Sequence, residues 1–225
     1  MDRRYAKVPR GRRHHPMRAS DVRKYRDCLR LDFGFECGYC LAREAEVGPV
    51  DPYGGFQIDH FRPRSLFKNR QHMYDNLVWA CTLCNRAKGD TWPSRREQDA
   101  GIRFLDPVED ALGEHVCTRG ETVDIINASP SGEFFVETLR LNTAAHRERR
   151  KRRDKLSAAL RMAVSALSQL AARNPAAHEI SRELDAAQIL QREVGESPPR
   201  DAPSSCRCSV GLSSVPNTRT PRPIP

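Results

Sequence analysis

With 225 residues and 38% hydrophobic content, the chain has room for one domain with a sizeable core, or for a smaller domain with appendages. No apolar run approaches a membrane span, and the first thirty residues hold eleven Lys or Arg and no signal-like apolar segment, so neither a membrane nor a secreted protein is expected, and a cytoplasmic location is. The net charge of +9 points to a polyanionic partner, nucleic acid before others, although solubility alone could produce the same figure.

Residues 1–20 are basic, contain Pro9, Gly11 and Pro16, and read as a flexible arm. Asp21 is a plausible N-cap for a helix over 22–31. A loop rich in Gly and Pro (48–55) gives way to a strand over 56–60, which ends on the pair Asp59-His60. An irregular, basic stretch follows to Asp75, then a short strand over 77–80 and a short helix over 83–88 closed by Gly89. Past Trp92 acids concentrate, and two strand candidates, 122–126 and 133–138, flank the turn signal Ser129-Pro130-Ser131-Gly132 and suggest a hairpin. Leu156, Leu160, Ala163, Leu167 and Leu170 form the stripe of a long amphipathic helix. Asn174-Pro175 breaks it, and a second helix over 176–194 returns as a helical hairpin that packs on the domain, or else offers a surface to a protein partner or a second copy. The basic cluster 147–153 opens the first of these helices as a candidate phosphate-tracking surface. The tail 196–225 is dominated by Pro, Ser and Arg and reads as disordered. The division expected is a basic arm (1–20), a core (21–92), an accessory segment (93–145), a helical hairpin (146–195) and the tail.

Two identical knuckles, Cys37-Gly38-Tyr39-Cys40 and Cys81-Thr82-Leu83-Cys84, carry the strongest chemical signal. Two intervening residues let both thiolates of a knuckle reach one metal, and two knuckles complete a tetrahedral zinc shell with no open position, so the zinc is expected to be structural. Cys28 and Cys117 read as small core residues, and the histidines other than His60 as surface or packing residues. Between the knuckles, Asp59 and His60 suggest a division of labour in which the carboxylate holds a hard cation and the imidazole takes a proton from water. Asn76 precedes the second strand, and Asn85 and Lys88 share one face of the short helix.

At these residues the chain resembles the HNH endonucleases, whose core is a ββα-metal unit. The resemblance covers about fifty-five residues, from Cys37 through Ile58-Asp59-His60-Phe61-Arg62-Pro63 and Asn76-Leu77-Val78 to Cys84-Asn85-Arg86-Ala87-Lys88-Gly89. It implies an α+β fold, a small nuclease core stapled by a four-cysteine zinc site at Cys37, Cys40, Cys81 and Cys84. It also implies a phosphodiester hydrolase acting on DNA, double-stranded in the first instance. His60 would be the general base, Asp59 and Asn85 would hold magnesium or manganese, and Asn76 would brace the loop that orients His60. Arg62, Arg64 and Lys88 are candidate phosphate contacts. Asn85 stands where the family name has a histidine; its amide oxygen is a harder ligand than imidazole and suits magnesium. The alternative is a zinc-stabilised nucleic-acid-binding module that does not cut. By analogy, such a core with an accessory C-terminal region resembles nucleases of mobile elements and anti-phage systems.

Overall fold

The computed structural model describes residues 5, 11–12, 14, 19–47, 55–174 and 177–195; most of the arm 1–20, and all of the tail 196–225, lie outside the described residues. Asp21 caps the first element as expected, its side chain accepting from the Arg23 N–H; a 3-10 turn over Val22–Tyr25 runs on into α1 (Arg26–Asp32). The first knuckle follows, and a short α2 (Glu44–Val47) precedes β1 (Phe56–His60). β1 pairs antiparallel with β2 (Leu77–Cys81), with Phe56 opposite Cys81 and His60 opposite Leu77. α3 (Thr82–Lys88) starts at the residue after β2, and Gly89 ends it at φ +48°, a left-handed conformation that glycine adopts at low cost. The ββα unit is therefore the one expected.

β2 is buried along its whole length because β1 pairs along one edge while α1, α3 and the first knuckle pack around it. Trp79 stacks on Phe56 at 5.7 Å between ring centroids, and its indole N–H donates to Glu44 at 2.8 Å, which satisfies the one polar group that its burial removes from water. The accessory segment shares this core. Phe104 packs edge-on to Tyr39 and lies 5.7 Å from Phe61 and 5.5 Å from Phe135, joining the ββα unit to the elements beyond α4 (Arg95–Asp99).

Those later elements correct one expectation. A hairpin does form, but it joins β3 (Val116–Arg119) to β4 (Thr122–Ile125) through Gly120 at φ +56°. Residues 133–138 are helical, within α5 (Pro130–Thr138). The supposed turn is a helix start: the Ser129 hydroxyl accepts from the Gly132 N–H, and Pro130 occupies the first helical position, where its missing N–H costs nothing.

α6 (Ala144–Arg173) and α7 (His178–Gly195) pack against each other, with Asn174 closing α6. The only fully buried side chains of α6 are His146 and Arg150, both near its start, while Leu156, Met162, Leu170, Ile189 and Leu190 stay exposed. Much of the basic cluster turns inward rather than forming a phosphate-tracking surface. Arg150 donates to the Glu121 and Leu141 carbonyls at 2.6 and 2.5 Å, Arg153 to the Leu41 carbonyl at 2.9 Å, and Arg149 to the Cys81 sulfur at 3.7 Å. Arg147 and Arg152 form exposed ion pairs with Glu121 and Glu148. The described residues of the arm are likewise held. Tyr5 donates to the Tyr39 carbonyl, His14 Nδ1 lies 2.6 Å from Asp32 Oδ1, and the Arg12 guanidinium sits 4.9 Å from the Tyr74 ring centroid. No described helix is long and apolar enough to cross a membrane.

Candidate functional site

The knuckles converge. The sulfurs of Cys37, Cys40, Cys81 and Cys84 all lie within 4.8 Å of one another, and all four residues are buried. Tetrahedral zinc at about 2.3 Å from each sulfur requires sulfurs about 3.8 Å apart, and Cys40 and Cys81 are 3.6 Å apart. The donor set fits zinc and leaves it no open position. In the bare cluster the Cys81 thiol is held well below its ordinary range by hydrogen bonds from Cys37 and its other neighbours, while burial pushes Cys84 well above it. Only a cation lets all four sulfurs be thiolates together.

Close pairing of β1 with β2 brings the end of β1 beside α3. A cavity of about 420 Å³ is lined there by Gln57, Asp59, His60, Arg64 and Asn85, together with Arg23 and Arg26. Asp59, His60 and Asn85, predicted as one site from sequence, thus face one space. The His60 Nε2 lies 2.8 Å from the Gln71 carbonyl oxygen, which can only accept. A neutral His60 in this position therefore carries its proton on Nε2 and keeps the lone pair on Nδ1. Asn76, buried, accepts from the Arg62 N–H at 2.9 Å and donates to the Arg62 and Arg70 carbonyls at 3.1 and 3.3 Å. These three bonds tie together both ends of the connection from which Gln71 reaches His60. Asn85 donates its amide N–H to Gln57 Oε1 at 2.6 Å, so its carbonyl oxygen is the atom suited to a cation.

Asp59 is more enclosed than the sequence suggests. Its carboxylate accepts from the Tyr39 hydroxyl and pairs with Lys88 Nζ at 3.1 Å, and Lys88 also donates to the His60 carbonyl at 2.7 Å. The Lys88 side chain is 0% exposed and that of Asp59 7%. Burial pushes the Asp59 carboxyl above its ordinary range, against the pull of Lys88 and the Tyr39 hydroxyl, and burial and Asp59 together hold Tyr39 protonated as a donor. Lys88 is therefore corrected from phosphate contact to internal partner: its side chain is buried, and its charge meets a carboxylate instead of solvent. Arg62 and Arg64 are exposed; Arg64 lines the cavity, and the Arg62 guanidinium lies over Phe67 at 5.9 Å. Lys88→Met should lower stability by about 3–5 kcal/mol in denaturant unfolding, because a buried carboxylate loses its cation. Since burial raises the Asp59 pKa, that loss should shrink as pH falls through it, and Asp59→Asn in the same chain should recover most of it. An equal loss in the double variant would show that Lys88 acts through packing instead.

Sequence reasoning missed Tyr39, Gln57, Arg23 and Arg26. The position of Tyr39 inside the first knuckle was a usable signal, because a metal-fixed turn places its middle residues firmly. Gln57 sits two residues before Asp59 on the same strand, but Arg23 and Arg26 reach the cavity only through packing of α1, which no local pattern encodes.

No curated protein matches the chain. The model of the family described as HNH endonuclease matches residues 37–91, which begin at Cys37 of the first knuckle, span both knuckles, β1, β2 and α3, and end just beyond Gly89. Over residues 37–91 the chain is therefore similar to the HNH endonuclease family.

Proposed function

We propose that this protein is a cation-dependent endonuclease that hydrolyses phosphodiester bonds of double-stranded DNA. The observation that carries the reading is the setting of His60: its Nε2–H is committed to the Gln71 carbonyl, and it opens on the same cavity as Asp59 and Asn85. In that tautomer Nδ1 can take a proton from a water positioned against a phosphate. Asn76 keeps the connection, and so the Gln71 carbonyl, in place. Asp59 and Asn85 would hold magnesium or manganese, which stabilises charge on the phosphate and the leaving oxygen when bound. Arg64, Arg23 and Arg26, which line the same cavity, would receive the phosphate backbone. The thiolates of the zinc site suit a reducing cytoplasm.

One observation favours a nucleic-acid-binding module that does not cut: Lys88 already neutralises Asp59, so a cation there competes with a buried ammonium. Plasmid nicking by zinc-replete protein with magnesium, with manganese or with no added divalent cation separates the readings. Nicking that requires added divalent cation is expected. DNA binding with no nicking under any of these cations would leave the binding module.

A further inference from the structure

We propose that His146 and Arg149, at the start of α6 and outside the matched domain, act as outer donors to the four-thiolate metal centre, tuning its affinity and fastening α6 to it. The Arg149 Nη1 lies 3.7 Å from Cys81 Sγ, and the His146 Nε2 lies 3.9 Å from Cys84 Sγ. One donor reaches a sulfur at each end of the second knuckle. His146 is buried, as are all four cysteines. Zinc with four thiolates carries a net charge of 2−, and a buried charge without compensation is costly. A guanidinium and an imidazole N–H directed at two of the sulfurs supply that compensation, in the way that outer-shell partners orient and tune metal ligands generally.

The neighbouring contacts of α6 serve the same docking. Arg153 donates to the carbonyl of Leu41, the residue after Cys40, so α6 touches both knuckles. Arg150 fixes the same turn to the Glu121 and Leu141 carbonyls. A run of arginines that would look like a nucleic-acid surface is thereby built around the metal centre.

The test compares the full-length protein with Arg149→Met, His146→Ala and His146→Gln, with Arg147→Ala as control, because Arg147 lies in the same turn and is 46% exposed in its ion pair with Glu121. Zinc content of the wild type, measured first, separates failure of the metal reading from failure of this proposal. Zinc transfer to a chromogenic chelator should become about 10- to 100-fold more favourable in Arg149→Met and His146→Ala. Arg147→Ala should match the wild type. His146→Gln, whose amide N–H can take the place of Nε2–H, should recover much of the loss. In cobalt-substituted protein the thiolate-to-metal charge-transfer band should move to lower energy in the two weakened variants, because a sulfur without its donor gives up charge more readily. Wild-type zinc retention and an unmoved cobalt band in both variants would overturn the proposal. If Arg149→Met does not fold, the histidine pair decides: equal retention in His146→Ala and His146→Gln counts against it.

Discussion

Replacing His60 by Ala should lower the rate of DNA nicking by about 10²- to 10⁴-fold, the usual contribution of a positioned general base, with fold, metal content and DNA affinity close to those of the wild type. The separation is expected because His60 is a half-buried side chain whose hydrogen bond to Gln71 lies at the surface, so its removal costs about 1 kcal/mol of stability. His60 is not a member of the four-cysteine cluster. The measurements are nicking under single-turnover conditions, zinc content, and a gel shift of zinc-replete protein without added magnesium or manganese to report binding alone. A variant that cuts at the wild-type rate would place the base elsewhere, whereas one that loses binding and cutting together would make His60 a structural or contact residue.

The parts of this molecule written locally were legible. Gly89 announced the end of α3, Asp21 the start of the first helical turn, and Asn174 the end of α6, because each supplies a cap or a conformation that its neighbours cannot. The gathering of Asp59, His60 and Asn85 around one cavity followed from strand, strand and helix held by knuckles at both ends. What escaped was direction. Asn85 and Lys88 were placed on one helical face, but the sequence does not say that Asn85 borders a cavity while Lys88 is buried against a carboxylate. The arginines of α6 read as a candidate phosphate-tracking surface until the carbonyls of Leu41, Glu121 and Leu141 appeared as acceptors for two of them. Residues 133–138 have the aromatic and branched composition of a strand. The Ser129 cap and the burial of Phe135 against Phe104 prevailed over that propensity.

Removing the metal should have the largest effect on the fold. Structural zinc sites in small peptides have apparent energies of roughly 10 to 16 kcal/mol at neutral pH, comparable with or larger than the whole stability of a typical domain at about 5 to 15 kcal/mol. Here the four sulfurs join the chain before β1 to the end of β2 and the start of α3, and Tyr39 carries that constraint on to Asp59. Without the cation, four buried thiolates within 4.8 Å of one another would repel, and buried thiols do not fix the turns of the knuckles as coordination does. Trp79 reports the outcome, because it is wholly buried, stacked on Phe56 and only two residues from Cys81. Chelation should abolish its near-ultraviolet dichroism and expose it to solvent, while much of the far-ultraviolet helical signal persists in α6 and α7, whose mutual contact does not involve the cluster. Zinc added back should restore the Trp79 signal. Because protons compete with metal for the sulfurs, the chelator concentration needed should fall as pH falls. An unchanged Trp79 signal in protein shown to be free of metal would mean that the shared aromatic core around Phe104 and Phe135, rather than the metal, holds the ββα unit together.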